Sequence, residues 1–345
     1  MMRVARCVLP LVTAQEVHRA GCNAAAAHAQ MYTMGSLLHS GSDEQKAEWL
    51  PKVASGELRL QAFGVSEPNS GTDTLSLETV AVKDGDEYVI NGQKMWTSRA
   101  EYSDAMLLLA RTDYPEPPRT DGRARAKALT LFIVDMRDKV NCGNGIEISP
   151  VETMMNHSTT TIFFDNLRVP AANIIGGEGN GFKTVLGAMN AERVLIAAEC
   201  IGDGRFFIDR ATQYLLHSTS LMTTEQQFCI GVCTILTVVK ICIARSRYAK
   251  DRHVFGRPIG ANQGIAFPIA EAYAEIEAAA LMVNHAADLI DGGATAGEQA
   301  NLAKYLAAEA SVSSAAILVV RASDCNSHAG FFRVVFCVTL FLFGV

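Results

Sequence analysis

The hydrophobic period of this chain changes twice along its length, and that constrains the fold more than any single motif. Residues 13–60 are Ala-rich and helical in texture, with the charged run Asp43–Trp49 leading to Pro51. Residues 61–170 instead carry runs that alternate apolar and polar side chains, the two-residue period of a strand. From residue 181 the spacing is helical again, because Val185, Met189, Glu192 and Ile196 fall on one face. Helices, then strands, then helices predict an α+β protein built in separate layers rather than from alternating βαβ units. The expected domains are an N-terminal helical remnant over 1–60, a middle β-barrel or sandwich domain over 61–170, and a C-terminal helical domain over 171–345.

Local signals fill in this outline. Lys83-Asp84-Gly85-Asp86-Glu87 separates the alternating stretch Thr79–Val82 from Tyr88–Ile90 and predicts a hairpin. Asn91-Gly92 reads as a second turn. Residues 105–111, 129–136 and 160–170 read as further strands, and 113–127 as a surface loop. Asn180 is placed as the N-cap of the helix that follows it. Later helices are expected over 265–291, ending at Gly292-Gly293, and over about 296–311.

Charge and composition remove several classes of function. A formal net charge of −6 gives no general basis for binding nucleic acid. The apolar stretches 229–243 and 331–345 are shorter than the ~20 residues a membrane helix needs, so no membrane span is expected. The nine cysteines follow no metal or disulfide spacing, so no metal is expected either. The cluster Gly176-Gly177-Glu178-Gly179-Asn180-Gly181 lacks the spacing and the βαβ setting of a dinucleotide fingerprint, and reads as the entry to a long helix.

Three segments carry the functional information together: QAFGVSEPNSGTDT at 61–74, NGQKMWTS at 91–98 and AKDRHVFGRPIGANQG at 249–264. In this order, with FFDNLRVP and AERVLIAAE between them, the chain resembles the FAD-dependent acyl-CoA dehydrogenase family over about 13–214 and 249–311. The resemblance implies that Val65, Ser66, Gly71 and Thr72 lie along the flavin and its pyrophosphate, with Thr72 also near the substrate. It implies that Trp96 packs against the isoalloxazine and that Ser98 offers a hydroxyl near its reactive edge. Arg252, Phe255 and Gln263 would reach the FAD of a neighbouring subunit, so a homodimer or homotetramer is implied. Bland readings stand beside these: Trp96 as a core aromatic and Arg252 as a solvated helix charge.

Glu192 is the candidate general base. A carboxylate on an apolar helix face is costly unless it has a partner or a task, and burial there raises its pKa toward a useful range. In the isovaleryl-CoA and long-chain branches of the family the base precedes an Arg, as Glu192 precedes Arg193 here, with Arg193 facing the substrate. Alternatively, Glu192 is a helix ion-pair partner and the base lies in a C-terminal region that this chain lacks. The implied activity is α,β-dehydrogenation of an acyl-CoA thioester, with an electron-transfer flavoprotein as acceptor. The alternatives are an acyl-CoA oxidase or flavin monooxygenase on the same fold, or a non-catalytic, mis-spliced product.

Two segments depart from the family pattern. Removing 215–248 would join Tyr214 to Ala249 in one helix, as a retained intron would require, and from Val312 to 345 the text is unrelated to the family. Both are expected to be non-native. The basic, acid-free start MMRVARCVLP fits either a mitochondrial presequence or a cropped start codon. The mitochondrial matrix is the expected compartment, with peroxisome and cytosol as alternatives.

Overall fold

The computed structural model describes residues 8–113, 121–137, 145–153, 158–216, 253–254, 256–258 and 263–320. It divides into two compact units, one of residues 25–192 and one that joins the first 24 residues to those from Arg193 onward. The observed elements are α+β, as the period changes predict.

In the first unit, helices α2 (Ala25–Ser40) and α3 (Asp43–Ser55) precede an eight-stranded sheet. Ser42 and Gln45 form a reciprocal capping box at the start of α3, satisfying two N–H groups that helix geometry leaves open. Pro51 lies inside α3 and does not end it. The strands are β1 (Leu60–Gly64), β2 (Val80–Asp84), β3 (Glu87–Ser98), β4 (Ala105–Arg111), β5 (Leu129–Asp135), β6 (Ile146–Pro150), β7 (Thr159–Pro170) and β8 (Ile174–Ile175). A short helix, α4 (Gly122–Ala126), sits within the expected loop. Their order is β6-β7-β3-β2-β4-β5-β8, with β1 parallel to β4.

The predicted hairpin is β2–β3, closing at Asp84↔Glu87. Asn91-Gly92 does not turn the chain. Strand β3 runs through it with a register shift against β7, and Gly92 takes φ 148° where a Cβ would meet Thr79 at under 3 Å. The Asn-Gly pair therefore marks a bulge, because β7 supplies a partner on the far side of β3.

Every residue of β4 from Ala105 to Ala110 is buried. Met106, Leu108 and Ala110 enter a core with Tyr88, Ile90, Phe132, Ile162 and Phe164, enclosed by the strands themselves. Ala105, Leu107 and Leu109 enter a second core with Leu37, Trp49, Val53 and Val185, supplied by helices. Such continuous apolar text is what a strand covered on both faces requires. The long helix α5 (Gly181–Leu216) begins against this second core. Its entry is a set of left-handed glycines, Gly176, Gly177 and Gly179, and Asn180 donates its side-chain amide to the Gly176 carbonyl.

The second unit contains α1 (Val8–Arg19), the later part of α5, α6 (Gln263–Asp291) and α7 (Gly297–Val320), with a short ladder of β9 (His253–Val254) and β10 (Arg257–Pro258). Small residues allow the helices to approach closely. A Cβ on Gly202 would meet the Gln15 carbonyl at 2.3 Å, and one on Gly204 would meet Ile276 at 2.0 Å. Arg205 holds Glu277 with two hydrogen bonds of 2.8 and 2.9 Å. Helix α7 passes Val312 without a break to Val320, with Ser314 and Ala315 buried, so the expected end at 311 has no counterpart in the helix. Among the described residues, no helix is long and apolar enough to cross a membrane, and no group of three or more metal-binding side chains is assembled.

Candidate functional site

Strand β3 carries the unusual geometry of the first unit. Between Lys94 and Thr97 its register against β7 shifts, and Trp96 sits at φ 63°. A bulky side chain in the left-handed region is a steric outlier that persists only where its surroundings enforce it. The result is an indole 56% exposed, against 5% for Trp49, the other tryptophan. The core reading of Trp96 is therefore replaced: the bulge turns it outward.

The backbone beside the bulge is tied to the segment after β1. The Met95 N–H donates to the Ser66 carbonyl at 2.9 Å. Glu67 and Ser70 bond one another through both backbone pairs, at 2.9 and 3.1 Å, making a tight turn that delivers the chain to Gly71 and Thr72. Both of these are exposed, and a Cβ on Gly71 would meet nothing within 4 Å. Val65, Ser66 and Ser98 are half-buried. An exposed indole on a strand tied to the segment that leads into an open Gly-Thr stretch suits a planar aromatic group joined to an anionic tail, because backbone amides in such stretches donate readily to phosphate oxygens. The residues from 65 to 98 thus fit a flavin dinucleotide.

Beneath the turn lies a pair that the sequence reading did not single out. Lys94 is fully buried, and its Nζ donates to Glu67 Oε1 at 2.7 Å and to the Val65 carbonyl at 3.0 Å. Glu67 also accepts the amides of Glu78 at 2.6 Å and Thr79 at 3.0 Å. Burial pushes the Lys94 ammonium down to about 8, against the opposing pull of Glu67. Burial alone would raise the Glu67 carboxyl, but the Lys94 charge and the Thr79 and Glu78 hydrogen bonds hold it below the usual carboxylate range. A signal was present: Lys94 is in phase with Tyr88 and Ile90, two other buried positions of the same strand.

Glu192 is half-buried on α5. Its neighbour from α2 is Tyr32, whose phenol is pushed well above its ordinary value by burial and then by the Glu192 charge. The Tyr32 ring packs edge-on against Phe63 of β1 at 5.6 Å between centroids, and against His28 at 5.3 Å. Tyr32 thus lies between the charge of Glu192 and the Phe63 ring of β1. Arg193 is half-buried and Gln263 exposed, and both belong to the other unit. Arg252 and Phe255 lie outside the described residues. A cleft of about 520 Å³ at the start of α5 is lined by His39, Ser40, Asn180, Lys183 and Thr184, and no sequence-predicted site residue borders it.

Comparisons with known proteins bear on the family and the fold. Family models match in chain order: the acyl-CoA dehydrogenase N-terminal domain at residues 6–57, the middle domain at 62–167 and the C-terminal domain at 224–320. The last match takes in residues 224–248 and 312–320, which the motif spacing had set apart. An acyl-CoA dehydrogenase of Bacillus subtilis is 32% identical over 282 residues, which are 81% of this chain and 62% of the relative. The mitochondrial short/branched chain specific acyl-CoA dehydrogenase of Rattus norvegicus is 32% identical over 272 residues, 78% of this chain and 52% of the relative. The chain thus spans less than two thirds of the length of these relatives. Butyryl-CoA dehydrogenase from Megasphaera elsdenii shares the fold, with a TM-score of 0.73, 24% identity, and coverage of 96% of this chain and 77% of that one. Three domain matches in order, on a sheet domain set between helical segments, make this chain a member of the acyl-CoA dehydrogenase family.

Proposed function

We propose that the protein is an FAD-dependent enzyme of α,β-dehydrogenation acting on an acyl-CoA thioester. The observation that carries this reading is the outward-turned Trp96 on a strand bonded, through Met95 and Ser66, to the segment that leads into the open Gly71-Thr72 stretch. Family membership supports it, and the resemblance in the motifs supplies the residue roles. When bound, FAD supplies the acceptor for hydride leaving the β-carbon. Trp96 gives the flavin ring an apolar face to lie against, and Ser98 offers a hydroxyl at the same strand end. Gly71 and Thr72 present backbone amides to the anionic part of the ligand. Arg252, Phe255 and Gln263 complete the FAD site of a neighbouring copy in a dimer or tetramer, and Arg193 meets the substrate.

Glu192 takes the proton from the α-carbon of the thioester. The Tyr32 phenol, kept protonated by burial and by the Glu192 charge, can only donate toward that carboxylate. Electrons then leave through an electron-transfer flavoprotein, and the mitochondrial matrix is the proposed compartment. Purified full-length protein should carry flavin absorbance and bleach on anaerobic addition of an acyl-CoA. Glu192→Gln should retain the flavin and lose roughly 10²–10⁴-fold in the rate of bleaching, the usual contribution of a general base. Bleaching by the variant at the wild-type rate would remove Glu192 from the chemistry, and a flavin-free wild type would remove the cofactor.

A further inference from the structure

The site described above depends on a strand held in an unfavourable conformation. Trp96 at φ 63° needs something to enforce it, and the backbone contact across to the turn is one hydrogen bond, Met95 N–H to the Ser66 carbonyl. The residues on either side of that bond are Val65 and Glu67 in the turn, and Lys94 in the strand. Lys94 reaches from β3 to both of them, donating to the Val65 carbonyl at 3.0 Å and the Glu67 carboxylate at 2.7 Å. Glu67 in turn holds the amides of Glu78 and Thr79, where the loop returns to β2. Two points of the loop 65–79 are thereby fixed to the ammonium directly, and two more to the carboxylate it holds.

A buried ion pair is a poor source of net stability, since desolvation of the charges offsets their attraction. A role in holding one register is a better account of its presence, and here the register is the one that turns Trp96 outward. We infer that the Lys94–Glu67 pair is a positioning device: it locks the Val65–Thr72 turn to the Met95–Trp96 bulge, and so fixes where the indole stands when it receives a flavin dinucleotide. The ligand in this inference rests on the proposed function, whereas the lock between turn and bulge does not. Both residues are buried, Lys94 at 0% exposure and Glu67 at 6%. Their effect passes through the backbone of Val65, Ser66 and Met95.

Removing one partner alone strands a buried charge, so the informative variant is Lys94→Met with Glu67→Gln, which removes both charges and leaves a side-chain oxygen for the Thr79 amide. Two readouts are needed on the full chain. The first is acrylamide quenching of tryptophan fluorescence without ligand, which reports Trp96 because Trp49 is buried. The second is the dissociation constant for added FAD. The double variant should unfold cooperatively, yet change its quenching constant and bind FAD roughly tenfold more weakly, about the loss of one hydrogen bond to a charged group. A cooperatively folded variant with wild-type quenching and wild-type FAD affinity overturns the inference. Should the double variant not fold, Glu67→Asp decides, since it keeps both charges and shortens the reach: a shift in quenching supports the lock, and no shift overturns it. If wild type takes up no FAD while quenching still differs between wild type and variant, the flavin reading falls and the lock stands.

Discussion

Single residues show where sequence reading reaches and where it stops. Trp96, Ser98 and the Gly71-Thr72 turn could be named from motif text because the motif is contiguous there. The Lys94–Glu67 pair joins two of those motifs in space, and pairing of that kind has no period in the sequence. The same holds for His18 in the second unit, 5% exposed, with Nδ1 3.0 Å from Asp203 and Nε2 4.0 Å from Glu199 and accepting the Ala24 N–H at 3.3 Å. Burial alone would lower the His18 pKa, but the Asp203 hydrogen bond and charge, followed by the Glu199 charge, raise it above its ordinary value. A raised histidine binds its proton more tightly in the folded state, so its stabilisation is complete below about pH 6.5 and is lost as pH rises through the folded value. The urea midpoint should therefore fall across that window in wild type and fall less in Asp203→Asn. Equal slopes in the two proteins would show that the ring does not titrate against Asp203.

Elements were legible wherever period and turn chemistry agreed. The turn of the β2–β3 hairpin, β4, β5, β7 and α6 lie where the sequence places them to within a residue or two, whereas β3 runs eight residues past Ile90. Strands β6 and β8 were missed because each is short and borrows its place from a neighbour, β7 for one and β5 for the other. Asn91-Gly92 misled because a turn signal and a bulge signal are the same dipeptide, and only the partner strand distinguishes them. Helix α5 offers a direct test of local packing. A Cβ on Gly181 would lie 2.6 Å from backbone atoms of Thr130 and Leu131, whereas one on Gly187 would meet nothing within 4 Å. Gly181→Ala should destabilise by about 1–3 kcal/mol, since backbone cannot move aside. Gly187→Ala should stabilise by roughly 0.5–1 kcal/mol through helix propensity. Thermal melts of the two variants should move in opposite directions.

At the scale of the whole molecule, the sequence could supply neither the division into units nor the surfaces that face other copies. Helices α6 and α7 expose Phe267, Tyr273, Leu281 and Tyr305, with Leu281 at 73%. If the proposed oligomer uses these helices, Leu281→Asp with Tyr305→Asp should lower the mass measured by light scattering. Stability of the separated chain should change by no more than about 0.5 kcal/mol per site, as is usual for exposed positions. An unchanged mass would place the contact elsewhere. Strand β4 has a different consequence. Neighbours in its sequence belong to different interiors, Leu107 to the helix-covered one and Leu108 to the strand-enclosed one. Randomising residues 105–110 would thus produce two interleaved tolerance profiles from one short stretch. Odd positions would register how far helices can be re-seated on the sheet, and even positions how little a wall of paired strands can yield.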